Sequence, residues 1–395
     1  MPEPFVIVGA GQAAAKAVET LRGAGYDGAL IVLGAEDHAP YQRPPLSKKY
    51  LAGEMSAAAL ALKAPDFYAA HGVELRLSAS VHAIDTAARR LTLADGAQLS
   101  FGKLLIATGA RPRTLPLPGA ALPGVATLRT ITDVDAIRAR LSEARRVVVI
   151  GGGYIGLEVA AVARTHGHAV TVLEGRERVM SRVVAAPLSH HYEAMHRAHR
   201  VDIRTNVAIA AITGNDRATG VALAGGSTVA ADFVLVSVGA KPNDELASAA
   251  GLTVNDGIVV DGGTRTSAPD IYAAGDCTRF PSRRYGRMVR LESVQNAIDQ
   301  GRAAALAMLG EAQDYDPVPW FWSDQYDAKL QIAGLSEGYD RIAIEHSSET
   351  SFAVSYFAGE RLLACDAVNA PRTYMLARRT LSGEEAAPRA RARNP

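Results

Sequence analysis

Two cysteines, Cys277 and Cys365, are all that this 395-residue chain carries. So few, so far apart, exclude a disulfide scaffold, a Cys-x-x-Cys redox pair and a four-cysteine metal site, and point to structural thiols in a reducing compartment. An excess of either charge is also missing. Lys and Arg number 42 against 41 Asp and Glu, a formal charge of +1, so no global field draws the chain to nucleic acid or an anionic membrane. Long hydrophobic runs are absent too. The longest apolar stretch, Val147 to Ala163, is interrupted by Gly151, Gly152, Gly153, Gly156 and Glu158 and suits a strand, turn and helix rather than a membrane span. No basic segment or cleavable apolar stretch precedes Phe5, so no signal peptide is expected and the expected location is cytoplasmic.

What the chain has is a repeat. Phe5 to Val8 reads as a buried strand, followed by Gly9-Ala-Gly11-Gln-Ala13-Ala14, a helical run to Leu21 and a second strand, Ala29 to Leu33, ending near Glu36. Val147 to Ile150 opens the same series again through Gly151-Gly-Gly153-Tyr154-Ile155-Gly156, a helix to about Thr165 and a strand, Ala169 to Leu173, ending at Glu174. Further on, Leu104-Leu-Ile-Ala107-Thr108-Gly109-Ala-Arg-Pro112 matches Val234-Leu-Val-Ser-Val-Gly239-Ala-Lys-Pro242 almost position for position. With 48% hydrophobic residues the chain is too long for one core. The expected fold is α/β, with two Rossmann-like dinucleotide-binding domains interleaved in sequence. The expected boundaries are 1–112 with 242–316 for the first domain, 113–241 for the second, and 317–395 for a smaller α+β domain ending in a disordered Ala/Arg/Pro-rich tail. The proline-rich stretch Arg111 to Gly124 reads as a linker.

A strand feeding a helix through Gly-x-Gly-x-x-Gly lets backbone approach a pyrophosphate and aims the partly positive helix N-terminus at it. One such motif is weak. Here Glu174 follows Gly156 by 18 residues and Glu36 follows Ala14 by 22, where a carboxylate can accept ribose hydroxyls, so the device occurs twice in context. Glu174 favours NADH, since it would repel the extra phosphate of NADPH; the nearby Arg176 and Arg178 keep NADPH open.

The segments Gly9-x-Gly11, Arg43-Pro-Pro-Leu-Ser-Lys48, Ala107-Thr-Gly109, Tyr154-Ile-Gly156-Leu-Glu158, Ile271-Tyr-Ala-Ala-Gly275-Asp276 and Trp320-Phe-Trp322-Ser-Asp-Gln together resemble the FAD-dependent ferredoxin reductases. Within that family the likeness is nearest to the putidaredoxin-reductase group and the reductase components of aromatic-ring dioxygenases. It runs from about residue 5 to 380 and extends more weakly to the glutathione-reductase-like superfamily.

The resemblance implies that the first copy holds FAD, through Gly9, Gly11, Ala13, Ala14, Glu36, Arg43, Lys48, Val81, Ala107, Thr108 and Gly109. Asp276 would meet the ribityl and phosphate part, with Arg129, Val294 and Trp322 beside the flavin. The second copy would hold NADH through Gly151, Gly153, Tyr154, Ile155, Gly156, Glu174 and Gly239. It also implies that Lys48 and Glu158 pair beside the reactive flavin nitrogen, the lysine answering negative charge and the glutamate holding the lysine. Lys48 as a plain surface lysine and Glu158 as an exposed first-turn residue are the competing readings; Trp320 and Trp322 could equally pack in an ordinary core.

With no redox cysteine near these motifs, electrons would leave the flavin directly, one at a time, which matches a two-iron ferredoxin feeding an oxygenase. The basic run Arg279, Arg283, Arg284, Arg287 and Arg290 could dock an acidic partner, or simply be solvated. An oxidase, quinone or rubredoxin reductase, and a flavoprotein whose redox state controls binding, are the alternative functions. His196 and His199 share a helical face without a third ligand, so no metal is expected. A monomer or weak dimer is expected.

Overall fold

The computed structural model describes residues 3–384. The tail expected to be disordered lies, from residue 385, outside the described residues. Contacts divide the chain into two compact units. The first gathers the described residues up to Gln42 with Ala58–Arg111 and Lys241–Pro317; the second gathers Arg43–Ala57, Pro112–Ala240 and the described residues from Val318 on. The Arg-Pro-Pro-Leu-Ser-Lys segment thus clusters with the second half of the repeat, and so does the C-terminal region.

The first unit is built on a five-stranded parallel sheet in the order Ile271–Ala273, Lys103–Ile106, Phe5–Val8, Leu30–Leu33, Val73–Arg76. Its inner strands, Phe5–Val8, Leu30–Leu33 and Lys103–Ile106, are largely Val, Ile and Leu and are buried, as in a parallel sheet covered on its faces. One cover is made by the helices Gln12–Gly23 and Val294–Met308, which approach so closely that a Cβ on Gly301 would lie 2.4 Å from the carbonyl oxygen of Ala13. Alanines at 13, 14, 17, 297, 304 and 305 line this contact, buried with the core. An antiparallel three-stranded sheet, Val81–Asp85, Arg90–Leu93 and Gln98–Ser100, completes this half.

The second unit repeats the plan. Its parallel sheet runs Asp202–Arg204, Ala169–Leu173, Arg146–Ile150, Phe233–Val236, Val125–Ala126, with the helix Tyr154–Thr165 following its central strand. An antiparallel sheet, Ile209–Thr213, Gly220–Leu223 and Thr228–Ala230, occupies the same place in the repeat as the one in the first unit. The proline-rich stretch expected to be a linker is instead packed. Ile212 donates its N–H to Pro118 at 2.9 Å, Ala218 donates to Pro123 at 2.8 Å, and Leu115, Ala120 and Leu122 lie against the core. Proline removes donors but leaves carbonyls, and here those carbonyls accept bonds that fix the segment.

After Val318 comes an antiparallel sheet in the order Trp320–Gln325, Ala328–Gly334, Arg361–Val368, Phe352–Ala358, Arg341–His346, covered by the amphipathic helix Pro371–Ser382. The architecture is therefore two Rossmann-like domains of the glutathione-reductase type with a small α+β domain. Among the described residues no helix is long and apolar enough to cross a membrane.

Candidate functional site

The two glycine turns have the same geometry, and it separates glycines the chain itself requires from glycines it does not. Gly9 (φ +112°) would push a Cβ to 2.1 Å from the Ala107 carbonyl oxygen, and Gly151 (φ +105°) to 2.2 Å from that of Ser237. Both are forced by the neighbouring strand exit. Gly11 and Gly153 are different: a Cβ there meets nothing within 4 Å and neither has positive φ, so nothing in the protein excludes a side chain. Each is the N-cap of its helix, Gln12–Gly23 and Tyr154–Thr165, with no side-chain cap and no acidic residue in the first turn. The unsatisfied N–H groups and the helix dipole face open space at both places. A dinucleotide pyrophosphate is a group that uses such room, so both turns fit the pyrophosphate of a dinucleotide.

The surrounding candidates fall as follows. In the first unit, Ala13 and Ala14 are buried in the opening turn of their helix. Glu36 stands just beyond the strand Leu30–Leu33 and accepts a 2.6 Å bond from the Tyr41 hydroxyl. Thr108 is held by Asn243, accepting from its side-chain amide at 2.9 Å and donating its hydroxyl to its carbonyl at 2.6 Å; the Gly109 carbonyl accepts from the Asn243 N–H at 2.9 Å. Asp276 follows the strand Ile271–Ala273 in a turn fixed by buried Gln300, whose Oε1 accepts from Gly275 N at 2.8 Å and Thr278 Oγ1 at 2.7 Å. Val294 opens the helix Val294–Met308, capped by Ser293, and Val81 opens its strand.

In the second unit, Arg43 reaches the carbonyl of Arg129 at 2.8 Å, bringing those two candidates together. Glu174 accepts from Gly152 N at 2.7 Å and Arg176 N at 2.9 Å, which sets its carboxylate against the glycine turn. Arg178 is committed elsewhere, to Ser189 Oγ at 2.6 Å and the Val184 carbonyl at 2.8 Å, and so is not free for a 2′-phosphate. Ile155 is 43% exposed at the helix start, an apolar surface facing solvent. Gly239, at φ +104°, ends the strand exit that matches Gly109.

Lys48 and Glu158 form the most heavily constrained group. Lys48 Nζ lies 2.8 Å from Glu158 Oε2. Glu158 is only 3% exposed and sits in the second turn of its helix, so the alternative of an exposed first-turn residue is excluded. Two residues that sequence reasoning did not single out complete it. Ser47 Oγ donates to Oε2 at 2.5 Å and Ser323 Oγ to Oε1 at 2.6 Å. Both stand inside the quoted motifs, and the signal for Ser323 was the period-two alternation of Trp320–Gln325: Ser323 and Gln325 are buried, whereas Trp320 and Trp322 on the other face are partly exposed, their rings 5.6 Å apart. Buried carboxylates need partners, and this one has an ammonium and two hydroxyls.

Neither thiol belongs to this group. Cys277 and Cys365 are buried and free, and burial raises both, Cys365 to about 12, which keeps them protonated. Histidines 196 and 199 part company: His196 is buried against Gln325, while His199 stacks on Tyr326. Among the described residues no group of three or more His, Cys, Asp or Glu could hold a metal.

Residues 3–301 match the family described as pyridine nucleotide-disulphide oxidoreductase, and residues 320–395 match a reductase C-terminal family. The chain belongs to the pyridine nucleotide-disulphide oxidoreductase family. FAD and NAD(H) are its cofactors, and the chain is an oxidoreductase and a flavoprotein. Among curated members it is 42% identical to rhodocoxin reductase of Rhodococcus erythropolis, over 96% of this chain and 90% of that one. It is 45% identical to putidaredoxin reductase of Pseudomonas putida, over 93% and 88%. Among solved members, the reductase in a covalent putidaredoxin reductase–putidaredoxin complex superposes with a TM-score of 0.93 at 42% identity, covering 96% of this chain and 93% of that one.

Proposed function

We propose that this chain is an NADH-dependent FAD reductase that passes electrons to a two-iron ferredoxin supplying an oxygenase. The observation that carries the reading is the buried Lys48–Glu158 pair combined with thiols that take no part in it. In a disulfide reductase a cysteine pair would receive the electrons; here both cysteines are buried and protonated, so the acceptor must lie outside the chain. FAD, when bound, supplies the conversion of a two-electron hydride into single electrons that an iron–sulfur acceptor can take.

The protein's own residues bind, orient and balance charge. The capless helix that follows Gly11 would hold the FAD pyrophosphate, with Glu36 for the adenosine ribose and Asp276 for the ribityl side. The turn Gly151–Gly156 would hold NADH, with Glu174 for its ribose. Glu158 holds the Lys48 ammonium, which would answer negative charge on the flavin, and Trp322 would lie beside the flavin. On this reading the FAD-binding domain comprises 1–112 and 242–316, the NAD-binding domain 113–241, and 317–395 the interface domain, in a cytoplasmic protein that is a monomer or weak dimer.

The acceptor is inferred from relatives named as ferredoxin reductases, and from the hairpin Thr278–Ser282 with Arg287–Val289, whose turn carries Arg283 and Arg284 and whose second strand opens with Arg287. Arg283 pairs with Asp314 at 2.9 Å, and Arg290 with Asp256 at 3.2 Å and Glu292 at 2.5 Å, so part of the positive charge is already answered. Docking there is of the small, weak kind that electron transfer uses. Anaerobic NADH oxidation assayed with a two-iron ferredoxin, a rubredoxin, a quinone or oxygen as sole acceptor tests the reading. Turnover with the ferredoxin at least about tenfold above the other acceptors, or roughly 1.4 kcal/mol of selectivity, supports it. Preference for oxygen or quinone replaces it.

A further inference from the structure

From Glu158 a chain of hydrogen bonds runs inward through residues that the proposed reaction does not use. Ser323 Oγ donates to Glu158 Oε1 at 2.6 Å, Gln325 Nε2 donates to Ser323 Oγ at 3.2 Å, and His196 Nε2 lies 2.8 Å from Gln325 Oε1. Ser323, Gln325 and His196 are at most 1% exposed, so solvent cannot substitute for any member. They come from one strand, Trp320–Gln325, and one helix, Ala186–Ala198.

Proton bookkeeping gives this chain a direction. A serine hydroxyl has one hydrogen, and an ionised carboxylate only accepts. His196 Nδ1 is buried with no hydrogen-bond partner, and a buried N–H without an acceptor costs more than a lone pair without a donor, so the proton sits on Nε2, which donates to Gln325 Oε1; burial, which lowers the pKa to about 4, keeps the ring neutral. Were the Gln325 amide reversed, its oxygen would take the Ser323 hydrogen and Glu158 Oε1 would lose its donor. The histidine N–H thus selects the amide orientation that turns the serine hydrogen towards Glu158.

We propose that Ser323, oriented through Gln325 by His196, is a positioning residue that holds the Glu158 carboxylate aimed at Lys48. The proposal rests on the reading of Lys48 and Glu158 given above. The other groups facing Glu158 cannot take over this task. Ser47 and Lys48 already serve the opposite carboxylate oxygen. Tyr154 on its own helix and Tyr192 on the helix Ala186–Ala198 have buried hydroxyls with no hydrogen-bond partner, and burial raises both, so they stay neutral.

In Ser323→Ala, Oε1 is left buried without a donor, so nothing holds the carboxylate in its orientation towards Lys48. The test uses the FAD-loaded protein and two readouts. Anaerobic stopped-flow gives the limiting rate of flavin reduction at saturating NADH in the wild-type and Lys48→Met backgrounds, and thermal unfolding gives the melting temperature of each variant. Ser323→Thr, which keeps the hydroxyl, is expected to reduce at the wild-type rate. Ser323→Ala is expected to be about tenfold slower than wild type and to slow Lys48→Met no further, because both changes act on one pair. Its melting temperature is expected to stay above the assay temperature, so that the slowing is not loss of fold. A wild-type rate in Ser323→Ala, or the same tenfold slowing in the Lys48→Met background, would overturn the proposal. If Lys48→Met reduces at the wild-type rate, the reading of the pair has failed; if it is slow while Ser323→Ala behaves as wild type, only the positioning role has.

Discussion

Asp366 should make the second unit lose stability as pH rises, and replacing it with asparagine should abolish that loss. The side chain is 1% exposed in the strand Arg361–Val368, where Tyr356 donates to it and in turn accepts from Ala185 N at 2.9 Å. Burial pushes its pKa from 3.8 up to about 7, with the Tyr356 hydrogen bond opposing. Because the folded value lies above the unfolded one, the stabilisation is fully present below about pH 4 and is lost as pH climbs towards 7. One pKa unit is worth about 1.4 kcal/mol, so the ceiling is about 4 kcal/mol, of which about 2 kcal/mol falls between pH 5.5 and 7. Asp366→Asn keeps an acceptor for Tyr356 without the titration. Urea unfolding followed by tryptophan fluorescence is the assay, since both tryptophans, Trp320 and Trp322, lie on one strand of this sheet. Between pH 5.5 and 8 the stability of the variant relative to wild type should rise by about 2 kcal/mol, and other titrating groups cancel in the difference. Parallel pH profiles for the two proteins would mean that Asp366 does not titrate in this window.

Lys48→Met should slow flavin reduction by NADH about 100-fold, the order found when one fixed charge-stabilising donor is removed, as read by anaerobic stopped-flow. Glu174→Arg should shift the ratio of NADPH to NADH efficiency by about tenfold or more towards NADPH, because the carboxylate that opposes the 2′-phosphate becomes its partner; steady-state kinetics with both cofactors checks this. Arg283→Glu with Arg284→Glu should leave flavin reduction by NADH unchanged, slow ferredoxin reduction and flatten its salt dependence, measured between low ionic strength and about 0.15 M, where the screening length falls to about 8 Å.

The parts of this protein written in local pattern were legible without coordinates. The Phe5–Val8 and Ala169–Leu173 strands, the two glycine turns and the helices after them follow from short-range periodicity and from backbone geometry at Gly9 and Gly151. The surroundings of Glu158 were not, because Ser47 and Ser323 lie 111 and 165 residues away in sequence and only folding brings them to one carboxylate. His196 shows the same limit: on its helix it looked like half of a metal pair, and only a strand 129 residues further on turns it into a hydrogen-bond donor. The packed proline stretch was misread because proline reports lost donors but not the carbonyls that remain to be used.

Passage of electrons from NADH through the flavin to a separate iron–sulfur protein can be followed by sequential-mixing stopped-flow: anaerobic protein is mixed with one equivalent of NADH, then with an oxidised two-iron ferredoxin, while flavin and iron–sulfur absorbance are followed separately. Flavin bleaching, followed by ferredoxin reduction in step with flavin reoxidation, is the expected result. A bleached flavin that stays reduced in the presence of ferredoxin, yet reoxidises at once on admission of oxygen or quinone, would contradict it.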